Sequence, residues 1–173
     1  MADGNNIAGV VLAGGRSSRM GKNKVFLEYK GMLLLDHMIQ VLEAAGLQDI
    51  YVSGDIKGYR CIPDSTPYNG PAHAICDVMN FLQTYDGALF VPVDMPFLTS
   101  NMLRALLRQP RGAYFQDYAL PAFIIQPCHN QSVSSVHQLL QELDIPSLPL
   151  PEKSKLCMGN FNTPEEWQEA LHA

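Results

Sequence analysis

The chain has 173 residues, 47% of them hydrophobic and 17% charged, with a formal net charge of -5. That length and apolar content suffice for a buried core and exclude a disordered chain. The acidic balance excludes general binding to nucleic acid or to an anionic membrane. No run approaches the roughly 18 apolar residues that a membrane helix needs.

Residues 7–13 (IAGVVLA) read as a buried strand running into a glycine-rich turn. Leu34, Met38, Val41, Leu42 and Ala45 recur at helical spacing over residues 33–45, and Gly46 is the stop. DIYVS is the second strand, and residues 72–82 form a helix with Ile75, Cys76, Met79 and Leu82 on one face. GALFVPV, residues 87–93, is apolar without alternation, as suits a parallel strand covered on both faces. A helix follows over residues 101–107, then strands in RGAYF and PAFII. Ser132 or Ser134 starts a helix through Leu143, and KLCM is a short late strand. The last helix has the clearest start: Thr163 caps it, Pro164 takes the first position, and Glu166 stands three residues after the cap.

Alternating strands and helices argue one α/β domain over residues 1–173, with a single open, mostly parallel, Rossmann-like sheet flanked by helices. Cys61, Cys76, Cys128 and Cys157 form no CxxC pair or zinc knuckle and are expected to be free thiols. The start, MADGNNIAG, lacks a secretory signal's charged flank and apolar segment, and a cytoplasmic location is expected.

In an open α/β sheet, ligands bind beyond the carboxyl ends of the strands. The segment LAGGRSSRMGKNK lies there and holds four of the chain's twelve Lys and Arg, with no acid. Gly14 and Gly15 allow main-chain amides to approach an anion, while Arg16, Arg19, Lys22 and Lys24 add charge suited to a polyphosphate. Neither a P-loop nor a GxGxxG fingerprint fits the spacing. A solvated turn with surface cations is the alternative, and Lys22 suits it best.

VPVDMPFL puts Asp94 at a strand end, the only carboxylate between residues 87 and 107. One aspartate can hold Mg²⁺ when water and substrate phosphates complete the shell; otherwise it ends the strand or caps the next helix. In GNFNTPEEW, Asn160 and Asn162 are two apart and point the same way if extended. They either complete a hydrated metal site or organise the turn. Asp64 is a further candidate, and Tyr68, Asn69 and Gly70 are placed to border a base. The five histidines show neither HxH nor HExxH spacing, and Glu165, Glu166 and Glu169 read as helix-start and solvent residues.

LAGGRSSRMGKNK resembles the LAGG…RMG…K signature of the molybdenum cofactor guanylyltransferases and of the wider nucleotidyltransferase family around them. The likeness continues through VPVDMPFL to GNFNTPEEW, over nearly the whole chain. It implies a nucleotidyltransferase-type fold and an enzyme that joins GMP from GTP to molybdopterin, or to its molybdenum-loaded form, releasing pyrophosphate.

By the resemblance, Leu12, Ala13, Gly14 and Gly15 match the nucleotide-binding turn, and Arg19 and Lys24 its phosphate-facing bases, with Arg16 assisting. Asp94 matches the Mg²⁺-binding aspartate, and Asn160 and Asn162 the asparagine pair near metal and pterin phosphate. Gly70 opens GPAHAI where the family has GPLAGI near the base; LAGG fits the guanylyl branch better than the cytidylyl LAAG. Implied partners are the nucleotide and pterin substrates and proteins of cofactor biosynthesis or receipt. GPAHAI and a short stretch before Pro121 keep open a relative using CTP or another phosphorylated acceptor, and a non-catalytic nucleotide-binding paralogue.

Overall fold

The computed structural model describes residues 6–13, 24–65, 69–125, 127–128 and 133–172. Its centre is β1 (Ile7–Leu12), parallel both to β4 (Ile50–Ser53) and to β6 (Gly87–Pro92). β5 (Cys61–Ile62) extends the β4 side in parallel. Beyond β6, β8 (Tyr118–Ile124) runs antiparallel to β6 and to β7 (Ala113–Phe115), and β9 (Ser147–Leu148) lies parallel to β7. The order is β5-β4-β1-β6-β8-β7-β9, with four of six pairings parallel, as the sequence predicts. A separate ribbon joins β2 (Glu28–Tyr29) to β3 (Met32–Leu33).

Unbroken apolar strands here mean two buried faces. Ala8, Val10 and Leu12 of β1, with Ala88 and Phe90 of β6, pack under α2 (Pro71–Phe81) and α4 (Val136–Glu142). Val11, Leu89 and Val91 point the other way, under α1 (Leu34–Ala45), α3 (Ser100–Leu107) and Trp167 of α5 (Pro164–Leu171). Gly9 lies between Ile7 and Val11 on the α1 side of β1. A Cβ there would press within 3.2–3.3 Å of Leu47, Ile50 and Leu42, so the absent side chain sets how closely this layer packs. Gly46 ends α1 in the left-handed region at φ 106°, its N–H turned back onto Glu43 and Leu42.

Three expectations need correction. KLCM is not a strand: residues Glu152–Met158 form a 3-10 helix, with Ser154 N donating to Pro151 O and a Lys155–Glu152 ion pair at 2.8 Å. Leu156 there is 85% exposed while Met158 is buried in the core, so the residues of this run do not share one strand face. The α4 cap is Ser135, whose hydroxyl accepts from Gln138 N at 3.2 Å; Ser134 instead binds the Gln138 side chain, and Ser132 lies outside the described residues. Cys76 and Cys128 are joined by a disulfide, since α2 and the chain after β8 pack on one face and bring their Cα atoms to 5.0 Å. Cys61 and Cys157 are free thiols. None of the described helices is long and apolar enough to cross a membrane.

Candidate functional site

The parallel strands deliver their carboxyl ends to one edge, and the pairing continues a step beyond them. Val93 N donates to Leu12 O at 3.2 Å, and Ala13 N to Ser53 O at 3.3 Å. Asp94 thus leaves β6 beside the end of β1. A 3-10 turn (Lys24–Phe26) is anchored by fully buried Val25 and presents Lys24 to the same place.

The third contributor comes from the far end of the chain. Phe161 N donates to Asp94 O at 3.2 Å, laying residues 160–162 against the aspartate. The rings of Phe161, Phe97, Trp167 and Tyr29 pack together, edge-on for Phe97–Phe161 with centroids 5.5 Å apart and tilted for Tyr29–Trp167 at 5.9 Å. The predicted capping box is present, and it does more than start α5. Glu166 Oε2 accepts from Asn162 N at 2.6 Å as well as from Thr163 N at 3.2 Å. Glu166, read from sequence as a helix-start residue, therefore fixes the backbone that carries Asn162.

Lys24 closes this arrangement. Its Nζ donates to Asp94 Oδ2 at 2.7 Å and to Asn162 Oδ1 at 2.9 Å, across sequence separations of 70 and 138. The lysine and aspartate side chains are 16% and 21% exposed, so water screens the pair less than it would on an open surface.

These groups stand in a cleft of about 570 Å³. Leu12, Ala13, Lys24, Asp94, Asn160 and Asn162, all singled out in the sequence, line it. Gly70 lies just outside, capping α2 at φ 93° and placing Pro71 in the wall. Asp64 follows β5 and is not among the lining residues; it is oriented by buried Ser53, whose hydroxyl donates to Asp64 Oδ1 at 3.0 Å. Gly14, Gly15, Arg16, Arg19 and Lys22 lie outside the described residues, as does Tyr68.

Sequence reasoning missed the part of the cleft lined by the β7–β8 turn. β7 and β8 are joined through Gln116 and Asp117, with Phe115 opposite Tyr118, and the turn puts Asp117 and Tyr118 in the cleft. Asp117 adopts φ 71°, a conformation aspartate tolerates better than most residues. The signal was there in FQDYAL, a polar pair between two apolar runs.

Carboxylate and amide oxygens suit a hard cation. No group of three or more His, Cys, Asp or Glu able to hold a metal occurs among the described residues. The donors therefore fit Mg²⁺, which keeps several waters and takes phosphate oxygens from a substrate, and do not fit a cation needing a full protein cage. Asp94, with Asn160 and Asn162 beside it, would hold it.

Comparison with known proteins finds relatives in sequence and in fold. A family model described as the MobA-like NTP transferase domain matches residues 9–144. A molybdenum cofactor guanylyltransferase of Xanthomonas euvesicatoria pv. vesicatoria is 34% identical over 177 residues, covering 95% of this chain and 94% of that protein. Among solved structures, molybdopterin-guanine dinucleotide biosynthesis protein A of Archaeoglobus fulgidus has a TM-score of 0.75 at 18% identity, covering 95% and 97% of the two chains. A nucleotidyl transferase of Methanothermobacter has a TM-score of 0.71 at 17% identity, covering 98% and 97%. At those identities the two structures establish a common fold.

Proposed function

The chain belongs to the MobA-like NTP transferase family, and on that premise we propose that it transfers GMP from GTP to molybdopterin, or to its molybdenum-loaded form, releasing pyrophosphate. The observation that carries this reading is the convergence of Lys24, Asp94 and Asn162 at the carboxyl edge of the sheet, in a cleft with room for more than a nucleotide's phosphates. The 34% identical relative supports the choice of substrates.

The chemistry asks little of acid–base groups. A terminal phosphate of the acceptor is already ionised and attacks the α-phosphorus in line, so the barrier lies in bringing anions together. Lys24, with Arg19 and Arg16 from the glycine loop, neutralises the triphosphate and the leaving pyrophosphate. Gly14 and Gly15 cradle the phosphates by main-chain N–H groups beside Leu12 and Ala13. Gly70, which sets Pro71 in the cleft wall, borders the base. Asp94 would hold Mg²⁺, which would supply positive charge at the phosphates, and Asn160 and Asn162 orient the incoming phosphate. The reaction is assigned to the cytoplasm.

One observation favours a second reading. Asp117 brings a second carboxylate to the cleft, where it would select an acceptor with hydrogen-bond donors. A transferase using CTP or another phosphorylated acceptor is that reading. Pyrophosphate release by the purified protein with Mg²⁺ and molybdopterin, comparing GTP with CTP, ATP and UTP, decides between them. GTP-selective release that requires molybdopterin is expected; release with another nucleotide, or none with molybdopterin, rejects the proposal.

A further inference from the structure

Two of the oxygens a divalent cation would use, Asp94 Oδ2 and Asn162 Oδ1, are already bonded to one ammonium. Lys24 Nζ sits 2.7 Å from Asp94 Oδ2 and 2.9 Å from Asn162 Oδ1, joining the metal-ligand candidate after β6 to the one before α5. An ion bound to Asp94 Oδ2 at about 2.1 Å would stand within a few ångströms of that ammonium. The like charges would repel at short range, in a pocket where both side chains are mostly shielded from water. The Lys24–Asp94 pair carries no net charge, which weakens the attraction that would draw a free cation from water to that carboxylate.

We infer that Lys24 is a resident counter-ion that keeps free divalent cations off Asp94, and that the polyphosphate of an incoming nucleotide opens the site by drawing the ammonium onto its own oxygens. The inference rests on the reading of Asp94 as a metal ligand given above. Lysine suits the task better than arginine. Its charge is compact, its stem is flexible, and it binds phosphate as a mobile point charge rather than as a fixed fork. The lysine lies along the cleft wall, so a short swing of the side chain separates the two arrangements. Metal and nucleotide therefore enter together, and the empty enzyme spends no time as a metal-loaded protein.

Mn²⁺, followed through the paramagnetic signal of the free ion, tests this on the full chain without any turnover. Wild type, Lys24→Met, Lys24→Gln and Lys24→Met/Asp94→Asn are titrated without nucleotide, with circular dichroism checking that each keeps the native fold. Wild type and Asp94→Asn are also titrated with a GTP analogue carrying a methylene between the α and β phosphorus atoms. Both Lys24 variants should bind Mn²⁺ at least tenfold more tightly than wild type, the double variant should lose that gain, and the analogue should restore a site in wild type that Asp94→Asn lacks. Equal affinity of wild type and the Lys24 variants without nucleotide overturns the inference and leaves the metal assignment standing. No protein-bound Mn²⁺ in any arm overturns both. The pyrophosphate assay fails independently if the acceptor is misassigned.

Discussion

Phe161 and Asp94 are joined main chain to main chain, Phe161 N donating to Asp94 O at 3.2 Å. The late turn is thereby attached to the end of β6 without using either functional side chain. Asp94 keeps its carboxylate for Lys24, and Asn162, one residue on, is delivered to the same ammonium.

Glu166 supports this attachment from below. Glu166→Ala removes the acceptor for Asn162 N and Thr163 N and should cost about 1 kcal/mol of stability as a lost cap partner. Turnover should fall with little change in the KM for GTP, because Asn162 loses its place while the nucleotide site remains. Glu166→Gln keeps an acceptor oxygen and should recover much of the rate. Unchanged kcat in Glu166→Ala, alongside the expected loss of stability, would confine the residue to a structural role.

Lys24→Ala should lower kcat about a hundredfold, the loss of roughly 3 kcal/mol associated with one well-placed electrostatic donor, while pterin affinity changes little. Asp94→Asn should raise the Mg²⁺ concentration needed for half-maximal rate. Steady-state rates across a Mg²⁺ series check both, and an unchanged metal dependence would remove Asp94 from the metal site.

The Cys76–Cys128 bridge joins two residues that are each 1% exposed. Thiol titration in denaturant should find two reactive groups, Cys61 and Cys157, without reductant, and four after reduction. With the bridged positions 52 residues apart in sequence, Cys76→Ser should cost about 4 kcal/mol by the loop-entropy argument. Four thiols before reduction would refute the bridge.

Away from the cleft, the hydroxyls of Tyr51 and Tyr85 lie 3.1 Å apart. That hydrogen bond, with burial and Asp49 in support, pushes the Tyr85 phenol from 10.0 to about 12. The folded state then holds the proton more tightly than the unfolded state. The stability it contributes is complete below pH 10.0 and is lost as pH rises through about 12. Denaturant midpoints measured across that window should fall less steeply in Tyr85→Phe than in wild type. Identical slopes would remove Tyr85 from the linkage.

What the sequence made legible follows from how each element is stabilised. β1 and β6 carry unbroken apolar runs because both faces are buried, and Thr163-Pro164 with Glu166 announces α5 through local hydrogen bonds alone. β5 and β9, two residues each, have no period to read and exist because a neighbouring strand offers partners. KLCM misled because an apolar run does not say which way it faces. The Cys76–Cys128 pairing and the cleft position of Asp117 depend on chain paths that local pattern does not encode. Lys24, Asp94 and Asn162 could be named from sequence, but their shared hydrogen bonds are a product of the fold.

The axis of α2 offers a practical use. Its first residue, Pro71, lines the cleft, and its last, Phe81, is 62% exposed. Eleven residues at 1.5 Å each set the two ends roughly 16 Å apart. A dye installed at position 81 would ride on a rigid rod whose other end borders the cleft. It would register tilting of that rod as ligands arrive while staying clear of them, giving a fluorescence reporter of occupancy that leaves the reacting groups untouched.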